Sequence, residues 1–224
     1  MTSADPPQPL ADARFAVVDV ETSGLSAARN RVLQVAIVVV DADGHVLDSW
    51  VSLVRPRWRW AFRLGPRDIH GLDRAALRRA PPAAEVFAEL ARRLESTTFT
   101  AHNASFDAAF LHHGARRLGI ALDISTQLCT LRMSRKLDPD RQLSHRLADV
   151  SARYGVANAK PHDALEDALA TAAVLPHLLR AHGISTTDQL EPFTLPRPPR
   201  PTRLPDEHRD AALPLPRPAT PDAA

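Results

Sequence analysis

Two acidic residues stand side by side where an apolar run ends: Asp19 and Glu21, in Asp19-Val20-Glu21, follow Phe15 to Val18 and precede Thr22-Ser23-Gly24-Leu25. In extended backbone, positions i and i+2 point to one face, so both carboxylates emerge together. Adjacent like charges stay ionised only when a cation or another partner sits between them. Gly24 permits a tight turn directly after the pair. A second segment is His102-Asn103-Ala104-Ser105-Phe106-Asp107. Asn103 is suited to cap a helix there. Asp107 then falls in the first turn, with Phe106 and Phe110 packing inward. The third segment is Pro161-His162-Asp163-Ala164-Leu165-Glu166-Asp167. Asp163 and Glu166 have the spacing of a capping box. That places His162 on a loop just ahead of a helix and Asp167 about one turn inside it.

Carboxylates with one histidine and no sulfur ligand suit hard divalent cations such as Mg²⁺ or Mn²⁺. Two such ions, roughly 3.5–4 Å apart, activate a water and stabilise the leaving oxygen of a phosphodiester. The water needs a base near neutral pH, and histidine is the side chain whose pKa suits the task; a positioned base contributes about 10²–10⁴-fold. Each segment alone has a plain structural reading. An acidic strand end is often a solvated edge, and a histidine before an acidic first turn is often a capping arrangement. The joint occurrence of all three is what points to chemistry.

The segments DVETSGL, AHNASFD and PHDALEDA resemble the three motifs of the DEDDh 3′→5′ exonucleases. That family includes the epsilon-type proofreading subunits of bacterial DNA polymerase III, RNase T and oligoribonuclease. The resemblance spans Arg14 to Gly183. It implies that Asp19, Glu21, Asp107 and Asp167 are metal ligands, that Asp19 bridges two ions, and that His162 is the general base. It also implies a substrate-binding set of Thr22, Gly24, Leu25, His102, Asn103 and Phe106. Backbone amides of Thr22, Ser23 and Gly24 would meet the terminal nucleotide. Leu25 either wedges against the terminal base or is a buried turn residue. The implied fold is the ribonuclease H-like α/β layer. The implied reaction is removal of nucleoside 5′-monophosphates from the 3′ end of single-stranded DNA, in proofreading or repair. An RNA-trimming enzyme of the same family and a non-catalytic nucleic-acid-binding or scaffolding module are the alternatives. DVETSGL favours the epsilon type, and the intact set of five counts against the module.

The elements that would position these residues can be read from periodicity. Phe15–Val20 and Val32–Val40 are apolar and β-branched, as buried strands are. Asp41-Ala42-Asp43-Gly44 signals a hairpin into Val46–Val54. Ala83–Leu94 is helical, with Val86, Phe87, Leu90 and Leu94 on one face. A short strand at Phe99–Ala101 leads into a helix from Ala104 to Leu118. Further helices span Ser144–Tyr154 and Ala164–Ala181, the latter with Pro176 inside, where a kink or split is expected. Strands first, then alternation, predict an α/β fold with a mixed sheet flanked by helices.

The chain has 224 residues and 44% hydrophobic content, enough for one core. No apolar run reaches the length of a membrane span, and Met1 to Leu10 lacks the pattern of a secretory signal. Cys129 is the only cysteine, which excludes an internal disulfide or a cysteine-based zinc site and suits a reducing cytoplasm. The net charge is +2, and Lys136 and Lys160 are the only lysines. Two basic stretches stand out. Arg55 to Arg67 interleaves arginines with Trp58, Trp60 and Phe62, as single-strand binders do, although the period of two also fits a strand. Arg132, Arg135, Lys136, Arg141 and Arg146 form the other, readable as phosphate contacts or as a solvated face. Ile69-His70-Gly71-Leu72 is read as a plain turn and His145 as structural. The domain layout expected is a short lead (1–12), a catalytic domain (13–184) and a proline-rich, disordered tail (185–224), in which Gln189-Leu190-Glu191-Pro192-Phe193 faintly resembles a sliding-clamp peptide. A polymerase or a clamp reached through the tail is the partner this suggests.

Overall fold

A computed structural model describes residues 8–56, 63–65, 70–157, 160 and 162–196. Six strands form one sheet in the order β3-β2-β1-β4-β5-β6. They are β1 (Phe15–Thr22), β2 (Val32–Val40), β3 (Val46–Leu53), β4 (Thr98–Ala101), β5 (Thr126–Cys129) and β6 (Thr194–Pro196). The first three form an antiparallel meander; β4 and β5 run parallel to β1, and β6 returns antiparallel. The hairpin between β2 and β3 is built as its composition predicts. Asp41 Oδ1 accepts the N–H groups of Asp43 and His45, and Gly44 takes φ +90°.

The helices are α1 (Arg74–Arg79), α2 (Ala83–Leu94), α3 (Ala104–Leu118), α4 (Thr130–Lys136), α5 (Leu147–Arg153) and α6 (Ala164–Ala181). They cover both faces of the sheet. Ala16, Val18 and Val20 of β1 pack with α2 and α3 through Phe87, Leu90, Ala108 and Leu111. Phe15 and Val17 point the other way, into a layer built from Met133, Val150 and the α6 residues Ala164, Ala168 and Leu175. Eight of the nine β2 residues are buried, as expected of a strand covered on both faces. Helix α6 runs through Pro176 without interruption. Among the described residues no helix is long and apolar enough to cross a membrane.

One expectation changes at the C-terminal boundary. Residues 187–193 form a 3₁₀-helix, and β6 pairs with β5, so order extends past residue 184. Leu190 and Phe193 are buried at 4% and 5% exposure in the layer beneath α6, and the Phe193 ring lies 4.4 Å from that of His182. The two apolar side chains of the clamp-like peptide therefore fill the protein's own core and present nothing to a partner. Residues 197–224, and Trp58, Trp60 and Phe62, lie outside the described residues.

Candidate active site

The odd-numbered face of β1 explains how the acids meet. Phe15 and Val17 pack on α6, and Asp19 and Glu21 continue that face toward the N-terminal end of the same helix, where Asp167 sits. The Glu21 and Asp167 carboxylates and an imidazole nitrogen of His162 lie within 4.8 Å of one another. Asp107 arrives from the opposite layer. Strand β4 pairs with β1 only as far as Val17↔Thr100, then turns into α3. Beyond that point Asp107 Oδ1, itself buried, accepts the Val20 N–H at 3.2 Å. The site thus lies at the carboxyl ends of parallel β1 and β4, where the connections diverge and α/β sheets open a crevice.

The electrostatics record the crowding. Burial, then the charges of Asp107, Asp167, Glu21 and Asp163, hold the Asp19 carboxyl well above its ordinary range. Burial and then Asp167 and Asp163 push Glu21 up to about 7. Asp107 is raised chiefly by burial, with Glu21 adding to it, against the N–H of Val20. All five sequence-predicted catalytic residues are therefore brought to one place.

The third segment is positioned by its cap. Asp163 accepts the Leu165 N–H at 3.2 Å, and Lys160 Nζ lies 2.9 Å from its other carboxylate oxygen. Partial burial works against the Asp163 carboxyl, yet the hydrogen bond from Lys160 holds it below the usual range. His162 is exposed, has φ +68°, and its backbone N–H donates to Asp167 Oδ2 at 3.1 Å. Lys160 carries no chemical signal in the sequence; its role as partner of the cap emerges only in the fold.

The other predicted residues sort differently. The loop after β1 closes through the Ser23 N–H to the Arg31 carbonyl at 2.9 Å, which occupies an amide expected to face a nucleotide. Gly24 has φ +150°, its carbonyl accepts the Thr22 hydroxyl at 2.8 Å, and a Cβ there would sit 2.7 Å from Asn30 Nδ2. Leu25 at the loop tip is 88% exposed, which resolves its two readings against a buried turn residue. Asn103 occupies the cap position of α3 but makes no capping bond; its Oδ1 accepts the Ser105 hydroxyl instead. Phe106 is half-buried, 4.9 Å from Phe110. His102 is turned inward: Nε2 lies 2.9 Å from the His145 carbonyl and Nδ1 3.0 Å from the Thr130 hydroxyl, so its side chain is engaged within the protein.

Hard oxygen donors, held together against their own repulsion beside one imidazole, fit a divalent cation better than any internal partner, because no cationic side chain is hydrogen-bonded to Asp19, Glu21 or Asp107 among the described residues. Known proteins resemble the chain in the same terms. It is 32% identical over 193 residues to a "DNA polymerase III PolC-type" of Lacticaseibacillus paracasei, a match covering 84% of this chain and 13% of that protein. Its fold matches the zinc-ion-bound complex of E. coli Exonuclease I with single-stranded DNA at TM-score 0.67 and 21% identity, over 77% of this chain and 41% of that one. It matches Exonuclease X in complex with 5′-overhanging duplex DNA at TM-score 0.61 and 24% identity, over 81% and 99% of the two chains. The family model described as RNase_T, exonuclease, matches residues 16–175, and the chain belongs to that exonuclease family.

Proposed function

We propose that this chain is a 3′→5′ exonuclease that releases nucleoside 5′-monophosphates from single-stranded DNA, with Mg²⁺ or Mn²⁺ ions held by Asp19, Glu21, Asp107 and Asp167. The observation that carries the reading is the meeting of four carboxylates and one histidine from three distant segments at a single crevice. When bound, the cations supply charge to offset the developing phosphodiester transition state and to acidify an attacking water. The chain's own groups do the rest. Asp107 is fixed by the Val20 amide, Asp167 by its place on a rigid helix, and His162, exposed on the loop ahead of that helix, takes the proton from water. Leu25, exposed at the tip of the loop that follows Glu21, is available to pack against a terminal base.

Two comparisons support DNA as the substrate. The Exonuclease I structure contains single-stranded DNA and the Exonuclease X structure a 5′-overhanging duplex. The polymerase relative supports a proofreading or repair setting, although this chain spans only 13% of that protein's length. The test is shortening of 5′-labelled DNA and RNA strands of matched sequence in Mg²⁺. Preferential shortening of DNA from the 3′ end is expected. Shortening of RNA alone would move the assignment to an exoribonuclease, and shortening of neither would remove catalysis from the reading.

A further inference from the structure

Asp107 sits where a carboxylate is costly to keep. It is buried, and Glu21 repels it, so a loosely held first turn of α3 would lower the cost by releasing the side chain toward water. The residue at the cap does not hold that turn. Asn103 makes no capping bond, and its Oδ1 accepts the Ser105 hydroxyl instead. The bond from the Phe106 N–H to the Asn103 carbonyl, at 2.8 Å, therefore starts on a residue whose side chain anchors nothing in the rest of the fold.

The anchor lies one residue earlier. His102 follows directly on the last pair of β4 with β5, Ala101↔Cys129. Its carbonyl accepts the Leu131 N–H at 2.9 Å, and Cys129 Sγ lies 3.4 Å from the same oxygen. Its imidazole is held at both nitrogens, with Nε2 2.9 Å from the His145 carbonyl and Nδ1 3.0 Å from the Thr130 hydroxyl. A carbonyl oxygen only accepts, so Nε2 carries the proton and Nδ1 accepts from Thr130. Burial lowers the pKa of His102, which favours the neutral ring that this pattern needs. His145 is fixed in turn. Its Nε2 lies 3.1 Å from Asp138 and its Nδ1 2.9 Å from the Ser134 hydroxyl, while buried Asp138 also accepts the N–H groups of Leu143 and Gln142 at 2.8 and 3.1 Å. A continuous set of hydrogen bonds thus ties the turn that opens α3 to α4 and to the segment before α5. Support of this kind, one step behind a ligand, sets the ligand's orientation and with it the affinity of the site.

We propose that His102 is a positioning residue: its ring, held between Thr130 and the His145 carbonyl, fixes the β4–α3 turn so that Asp107 stays on the Val20 amide among the other acids. This departs from the substrate contact that the resemblance implies for His102. The proposal rests on the exonuclease reading above and adds what keeps one of its ligands in place. The first measurement is Mn²⁺ affinity of the full chain by calorimetry, which needs no turnover. His102→Phe removes both ring hydrogen bonds and lowers that affinity about 10–100-fold. His102→Gln keeps a donor for the His145 carbonyl and stays within about threefold of the unsubstituted chain. Thr130→Val removes only the donor to Nδ1 and falls between the two, so the order can be read even if the phenylalanine chain does not fold. In shortening of an oligonucleotide at saturating Mn²⁺, His102→Phe lowers kcat about tenfold or more while KM stays within about twofold. A raised KM with unchanged Mn²⁺ affinity would make His102 a substrate contact and overturn the proposal. Equal Mn²⁺ affinity in all four chains overturns it too, and so does a glutamine chain as weak as the phenylalanine chain. If DNA is shortened but the affinities do not part, the positioning role fails and the exonuclease reading stands. If the affinities part in the stated order but no strand is ever shortened, the positioning role stands and the exonuclease reading fails.

Discussion

At the scale of single residues, the site is an arrangement in which charge is costly until something positive arrives. Glu21 has its pKa pushed from 4.5 to about 7, by burial first and by Asp167 next. A carboxyl whose folded pKa lies above its unfolded value keeps its proton in the folded state where the unfolded chain has already lost it. Stability is then greatest below 4.5 and declines as pH rises toward about 7, and the raised Asp19 and Asp107 act in the same direction. Cation-free protein should therefore melt at progressively lower temperature across that interval. At pH 8, Glu21→Gln should raise Tm by about 2 °C or more, and Mn²⁺ should do the same for the unsubstituted chain. A Glu21→Gln chain that melts lower at pH 8 would show that the acids are not repelling one another. For the base, His162→Ala should slow nucleotide release by about 10²–10⁴-fold in a discontinuous assay, with Mn²⁺ affinity retained by calorimetry. Loss of Mn²⁺ binding with it would make His162 a ligand instead. Local spacing puts acids on one strand face and after two helix starts, but it was the resemblance of the three segments to the exonuclease motifs that singled out these five residues. What His102 does was not legible. Its partners, Thr130 and the His145 carbonyl, lie 28 and 43 residues away, and no local pattern encodes them.

At the scale of elements, α6 shows how a cap becomes part of a site. Its first turn holds Asp167, and its start is fixed by Asp163 accepting the Leu165 N–H. Asp163→Asn keeps an acceptor at the cap and removes the charge, whereas Asp163→Ala removes both. The alanine chain should melt about 2–4 °C below the asparagine chain, the effect of roughly 1 kcal/mol of capping. Equal melting temperatures would mean that the Lys160 contact, exposed and weak, is the only interaction Asp163 makes. The bounds of β2, α2, α3 and α6 were readable from their apolar patterns, whereas β5 and α4 were not read from the sequence and α5 starts three residues later than expected. Packing between elements was less readable. Gly114, inside α3, reads as a defect in a helix, yet a Cβ there would run into the ring of Phe87 on α2. Only the close approach of the two helices explains it.

At the scale of the whole molecule, the C-terminal segment is where composition misled. Pro192 and Pro196 suggest a chain with no regular structure, but tertiary burial of Leu190 and Phe193 overrides that preference, and the β5 edge takes up Thr194–Pro196. A chain ending at Ile184 loses both side chains from the core, each worth roughly 1.5–3 kcal/mol. It should melt at least about 4 °C below a chain ending at Pro196. Equal stability of the two would show that residues 187–196 only rest on the surface. The wider architecture places acids from β1, α3 and α6 at one crevice. The most direct test of that account is the fate of a 5′-labelled single strand of DNA incubated with the intact chain and with Asp167→Ala, each in Mg²⁺ and in EDTA. A ladder descending from the 3′ end is predicted for the intact chain in Mg²⁺ and for no other combination. A ladder from Asp167→Ala, or from the intact chain in EDTA, would contradict it.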